Sequence, residues 1–364
     1  MPVTRAAIAD LPDLSSVRIA CSMHLEIKMI PAIEGLLNRG ASLFLATCNR
    51  QTVCDDTVAW CRKAGAEAHA WKGMNFDDLA VADERACAFQ PTHLCEMGAD
   101  LTARLLRDDA VEWRRGVRAG LEATGSGTTR LAGLEPAYPI FNWDDLPIKE
   151  GLHNRRMVGL VACHAFFEKT RLTMHGKRVL VLGYGLVGRG VCDAVRAYGG
   201  EVAVSEVDAG RALEARFAGE RIVDAIDFLP HADIIFSATG ARNVLGETAF
   251  ARLKPGAFLI NVGHCDTEID VAALLAFPNN EVRPFVRRVA LPQGGVYLFA
   301  NGSMANLTAG QGDSLNAFDI TAAAMVAGIG FMVAKGAAYR PGVHLLPKEA
   351  WTGVAAMAMR RGLG

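Results

Sequence analysis

Apolar positions along this chain follow two rhythms. Short runs with few polar residues are separated by longer stretches in which apolar residues recur with a helical period. Residues 17–21 (VRIAC) and 42–47 read as buried strands. Residues 25–39, with Met29, Ile30, Ile33, Leu36 and Leu37 in helical register, and residues 56–64 read as helices. Gly40 and Gly65 stand where those helices end. Such alternation predicts a parallel sheet covered by helices on both faces. Ligands of such sheets gather at the carboxyl ends of the strands. A site is therefore expected on the loops 23–28, 48–56 and 95–101. Residues 123–145, with GSGTT, Pro136 and Pro139, read as connecting chain.

The second half is sharper. Residues 177–182 (KRVLVL) run into Gly183-Tyr184-Gly185-Leu186-Val187-Gly188, which opens a helix over 187–197. Residues 201–205 are the next strand, and Glu206 stands at its end, 18 residues beyond Gly188. G-x-G-x-x-G after a strand, before a helix and followed by an acid predicts a dinucleotide site. Gly183 permits the tight turn, Gly185 the approach of a pyrophosphate, and Gly188 close packing of helix on strand. Leu186 and Val187 begin the helix whose N–H groups face the diphosphate. Glu206 is expected to accept from a ribose 2′-hydroxyl and to repel a 2′-phosphate, which favours NAD over NADP. Residues 234–240, ending in Thr239 and Gly240, and 258–264, with Val262 and His264, read as the fourth and fifth strands of this domain.

Composition narrows the class. Lys+Arg number 38 and Asp+Glu 39, for a net charge of −1. A chain so balanced has no broad basic footprint, so nucleic acid is not the expected partner. No uninterrupted apolar run approaches the ~18–20 residues of a membrane span, and the start of the chain carries no signal-peptide pattern. The nine cysteines include no C-x-x-C pair. They are expected as buried free thiols in a reducing cytoplasm, and no metal site is expected.

Several segments together carry a family resemblance: VLGYGLVGRG, the acid of SEVD, FSATG, NVGHCDTEID, ANLTAG, GVHLLPK, AGAEAHAWKG and residues 149–154. The chain resembles the S-adenosylhomocysteine hydrolase (adenosylhomocysteinase) superfamily over nearly its whole length. The resemblance implies an α/β protein of two doubly wound parallel-sheet domains with a cleft between them. A substrate domain over 1–152, completed by about 313–345, would flank a Rossmann-type NAD domain over 153–312, with a short C-terminal helix over 346–364. It implies bound NAD that transiently oxidises a sugar hydroxyl so that a nucleoside or sugar thioether is cleaved. It also implies a homodimer or homotetramer. The family's C-terminal tail is not matched, so looser NAD binding and a different dimer are expected.

By the same resemblance, Lys149 assists oxidation of the hydroxyl, Asn154 is its neighbour, His24 is the active-site histidine and His264 sits by the cofactor. Asn306 contacts the nicotinamide, and Thr124 belongs to a cofactor-contacting run. Other positions depart from the family. Met97 stands where a proton-abstracting carboxylate is expected, Ala123 where a glutamate is, and His153 where an aspartate is. Lys28 replaces a glutamate that holds adenine, Glu26 replaces a threonine beside it, and Asp313 replaces a histidine. Glu26, Lys28, Cys54 and Asp313 are therefore the expected substrate-recognition set, for an altered base or a charged group. The acid–base half would be rebuilt from His24, His153, Glu26, Glu122 or Asp313. The alternatives are an NAD-dependent dehydrogenase or epimerase of a nucleoside or sugar, and a non-catalytic NAD-binding homologue.

Overall fold

The computed structural model describes residues 1–263 and 266–361. His264, expected beside the cofactor, lies outside the described residues. Fifteen strands are described: β1 Arg18–Ser22, β2 Ser42–Ala46, β3 Glu67–Ala68, β4 His93–Glu96, β5 Ala119–Glu122, β6 Pro139–Asn142, β7 Arg178–Leu182, β8 Glu201–Ser205, β9 Arg221–Ile222, β10 Ile234–Ser237, β11 Phe258–Asn261, β12 Asn279–Arg283, β13 Val286–Leu291, β14 Gly294–Phe299 and β15 Gly342–Leu345. They form two sheets in two compact units. Unit 1 comprises Met1–Glu150 and Leu315–Gly364, and unit 2 comprises Gly151–Ser314.

The sheet of unit 1 has the order β15-β6-β5-β4-β1-β2-β3, and every pairing is parallel. The strand order reverses at β1, between β2 and β4. That switch point is where a crevice opens at the carboxyl ends of an open parallel sheet. His24 follows β1 there, and Met97 follows β4. Four consecutive buried residues in β1, β2, β4 and β5 fit strands covered on both faces.

Three local expectations change. The helix expected over 25–39 begins as a 3₁₀ turn, Ile27–Met29, and becomes α-helical only over Ile30–Asn38. Pro31 sits in the first turn of that helix, the place its missing N–H allows. Residues 123–145 are more than connection, because they hold a helix, Gly125–Leu131, and the strand β6. The two glycines hid that helix, whose start is fixed by Thr124 accepting from the Gly127 amide at 2.9 Å. Finally, Leu315–Ala338 is by length and composition apolar enough to cross a membrane, which the run count did not foresee. In the fold, 67% of its most apolar 18-residue stretch is buried, and its helix, Leu315–Lys335, packs on the helices Pro2–Ala9 and Lys348–Arg361. Its Asp319 accepts from the Val3 and Thr4 amides at 3.0 and 2.7 Å. This is a core helix, apolar all round because its surroundings are.

Unit 2 has the order β12-β13-β14-β11-β10-β7-β8-β9. β7 through β11 are parallel, whereas β12, β13 and β14 form antiparallel hairpins, with β14 joined parallel to β11. The sheet is thus mixed rather than wholly parallel. Successive residues of β7 serve opposite cores: Val179 and Val181 pack with Phe166, Phe236 and Ile260, and Leu180 and Leu182 with Ile235 and Leu259. Its switch point falls between β7 and β10, so the glycine loop after β7 opens at the expected crevice.

Candidate active site

In unit 1 the loop after β1 is pinned to the loop after β2. The Cys54 amide donates to Leu25 O at 2.9 Å. The His24 ring places Nδ1 2.8 Å from Thr52 Oγ1, with the Cys48 sulfur 3.6 Å from the same nitrogen. Burial pushes the Cys48 thiol well above its ordinary range, so it stays protonated. Thr52, which orients the histidine, was not singled out from the sequence. Two residues on, Glu26 and Lys28 form an ion pair of 3.3 Å with both side chains largely buried. The Lys28 ammonium lies 4.9 Å from the centre of the Phe318 ring. His24, Glu26, Lys28 and Cys54 thus share one neighbourhood. Asp313 belongs to unit 2.

Lys149 is buried, not a solvated surface lysine. Its Nζ donates to Ala123 O at 2.5 Å and to the Asp144 carboxylate, and lies 5.3 Å from the centre of the Trp143 ring. Asp144 is a second residue that sequence reasoning missed, although the acid pair in NWDD, just after β6, was the signal for it. A lysine with a carboxylate in contact has a proton partner at hand.

The two glutamates near the altered acid positions have other work. Glu96 is fully buried and accepts from the Thr102 amide at 3.1 Å and from its hydroxyl. Glu122 accepts from the amides of Gly98, Ala99 and Thr124 at 3.0, 2.9 and 2.8 Å and from the Thr124 hydroxyl. Burial pushes Glu96 up to about 8 and Glu122 up to about 7. Glu122 therefore ties the loops after β4 and β5 together. Thr124, expected at the cofactor, has its hydroxyl committed to Glu122 and to the helix cap.

In unit 2 each glycine of the loop has a separate reason. Gly183 has φ +92°, and a Cβ there would meet Ala238 O at 2.7 Å. A Cβ on Gly188 would meet Gly183 O at 2.1 Å, whereas one on Gly185 would meet nothing within 4 Å. Among the described residues the loop is thus closed behind and open in front, and no side chain caps the first amides of the helix Leu186–Ala197, which starts at Gly185. Val187 is half-buried just inside that first turn. Glu206 Oε2 accepts from the Tyr184 amide at 2.7 Å and Oε1 from the Asp208 amide at 2.9 Å. Its carboxylate is held beside the loop with lone pairs to spare.

The loops after β10 and β11 are stapled by Glu268. This buried carboxylate accepts from the Thr239 amide and hydroxyl and from the Gly240 amide, at 2.8–2.9 Å. Thr239 and Gly240 therefore offer a cofactor a surface, and those donors are already taken. Val262 is buried with its amide on Ser237 O at 3.0 Å, a structural position. Asn306 is different: it is buried, and among the described residues its Oδ1 has no hydrogen-bond partner. Buried polar atoms are nearly always satisfied, so this one calls for a donor from a ligand, such as a carboxamide. Together with the open face of Gly185 and the carboxylate of Glu206, it makes these residues fit a nicotinamide dinucleotide.

His153 and Asn154 lie in a π-helical turn, Glu150–Met157, a wide geometry common at functional sites. The turn is set against the helix of the glycine loop, because a Cβ on Gly190 would meet Arg155 O at 2.4 Å and Asn154 O at 3.5 Å. His153 Nδ1 contacts the carboxylate of Asp313. Asp313, expected to recognise substrate, is in contact with His153, a candidate catalytic histidine.

Two family models match the chain, over separate stretches. The model of the S-adenosyl-L-homocysteine hydrolase NAD-binding domain matches residues 163–312, and that of S-adenosyl-L-homocysteine hydrolase matches residues 1–124. An adenosylhomocysteinase of Archaeoglobus fulgidus is 31% identical over 92% of this chain and 84% of its own. An adenosylhomocysteinase of Aeropyrum pernix is 32% identical over 88% and 79%. An S-inosyl-L-homocysteine hydrolase of Methanopyrus kandleri is 29% identical over 92% and 81%. The chain belongs to the S-adenosyl-L-homocysteine hydrolase family, and is an enzyme of the adenosylhomocysteinase type with an NAD-binding domain.

Proposed function

We propose that this enzyme hydrolyses the thioether of a purine-nucleosyl homocysteine and prefers S-inosyl-L-homocysteine to S-adenosyl-L-homocysteine. The observation that carries the preference is Lys28. It stands at the position where the family's glutamate accepts from the adenine amino group, and an ammonium only donates. A 6-oxopurine offers an oxygen at that point, and its ring N–H matches the Glu26 carboxylate that Lys28 touches. Relatives of both kinds, adenosyl and inosyl, match 92% of this chain at similar identity.

Glu206, Gly185 and Asn306 are the residues that would hold NAD. When bound, the dinucleotide accepts a hydride from a sugar carbinol and later returns it. Lys149 holds or moves a proton at Nζ, with Asp144 as its partner. His24, oriented by Thr52, is a second proton-handling group. Met97 handles none, since a thioether has no proton to exchange at neutral pH.

The test is thiol release by the purified, NAD-loaded protein from each of the two thioethers. We expect kcat/KM to favour the inosyl compound by about tenfold or more, as one mismatched polar contact requires. Equal or reversed values overturn the preference, and no thiol from either overturns the hydrolase reading.

A further inference from the structure

We propose that His153 and Asp313 act as one proton-handling dyad, in which Asp313 is a positioning residue and His153 exchanges a proton with the substrate. This deepens the hydrolase function proposed above and rests on it. The two residues are 160 positions apart and meet within unit 2, the carboxylate of Asp313 against Nδ1 of His153.

Exposure separates the roles. The Asp313 side chain is 1% exposed and that of His153 is 25% exposed. The acid is buried, while the ring is partly exposed. A carboxylate so placed is poorly placed to touch a substrate, but it fixes the ring. By accepting from Nδ1–H it leaves the lone pair on Nε2, at the opposite side of the imidazole. Nε2 can then take a proton from a substrate O–H or C–H bond, whose electron pair stays on the substrate. The resulting imidazolium is stabilised by Asp313, and the proton is given back later in the cycle. The ring is held in place by the π-helical turn, which Gly190 allows to lie against the helix of the glycine loop.

The experiment uses full-length, NAD-loaded protein with ¹⁵N-labelled histidine. The ring signals of His153 are assigned by their loss in His153→Gln. For the neutral ring we expect a proton on Nδ1 and none on Nε2, and a shift away from that tautomer in Asp313→Asn. In the same preparations, His153→Gln should lower kcat for thiol release about a hundredfold, with KM within about threefold. Asp313→Asn should lower kcat about tenfold or more, and Asp313→Glu should recover part of the loss. NAD content and melting temperature check that each variant is folded. A proton on Nε2 in the parent protein, or His153 signals unchanged by Asp313→Asn, overturns the dyad. So does an active parent whose His153→Gln variant turns over undiminished. A parent that releases no thiol from either compound overturns the hydrolase reading and, with it, the catalytic role given to His153.

Discussion

The ammonium of Lys149 and the carboxylate of Asp144, five residues apart, form a buried ion pair beneath the Trp143 ring. Removing one partner leaves the other charge buried and unpaired. Asp144→Asn should therefore destabilise unit 1 by about 3–5 kcal/mol. Lys149→Met in the Asp144→Asn background should regain much of that stability. Lys149→Met alone should lower kcat for thiol release about a hundredfold. Urea unfolding and turnover on the four proteins check this, and a stability loss that is additive in the double variant contradicts the pairing.

The glycine loop predicts two opposite outcomes for one extra methyl group. Gly188→Ala places a Cβ 2.1 Å from Gly183 O. It should lower the melting temperature and weaken NAD binding by at least about tenfold. Gly185→Ala meets nothing within 4 Å. It should leave the melting temperature unchanged and still weaken NAD binding, because its methyl stands where the diphosphate approaches. Calorimetric titration with NAD beside thermal unfolding distinguishes the two.

Glu206 sets the choice of dinucleotide. Glu206→Ser removes an acceptor for the ribose hydroxyl and a charge opposed to a 2′-phosphate. The ratio of NAD to NADP affinity should fall by about tenfold or more. An unchanged ratio, measured by titration with each dinucleotide, would place the ribose elsewhere.

Lys28→Gln gives the base-recognition position an acceptor as well as a donor. The preference for the inosyl over the adenosyl thioether should narrow by about fivefold or more, chiefly through the adenosyl compound. Ratios of kcat/KM for the two compounds read this directly.

Glu96 and Glu122 give the fold a pH dependence. Their ordinary value is 4.5, and burial raises Glu96 to about 8 and Glu122 to about 7. Between these values the folded chain holds protons that the unfolded chain has released. The stabilisation is full below about 4.5 and is lost as pH rises through 7 and 8. Unfolding free energy should thus fall by on the order of 5 kcal/mol between pH 5 and pH 8.5. Glu96→Gln should flatten that slope, and urea midpoints across the range measure it.

The parts legible in the sequence were those with local causes. Gly183, Gly185 and Gly188 sit where their spacing placed them, because a tight turn, an open face and a close packing are each fixed within a few residues. The strands flanking that loop were readable for the same reason. Pairings that depend on distant chain were not readable. His153 and Asp313 were noted separately, as a replaced aspartate and a replaced histidine, and their contact across 160 residues emerged only in the fold. The staple that Glu268, from the next loop, puts on Thr239 and Gly240 was not readable either. Nor was the cap that the Thr124 hydroxyl gives a glycine-rich helix. The antiparallel hairpins of unit 2 were hidden because β12 has no buried face of its own and carries little hydrophobic signal.

The most direct measurement is thiol release by protein stripped of dinucleotide, before and after NAD is added back. Stripped protein should leave S-inosyl-L-homocysteine intact, and stoichiometric NAD should restore cleavage, with NADP unable to replace it. Cleavage at full rate without any dinucleotide, or no cleavage after its return, would contradict the reading.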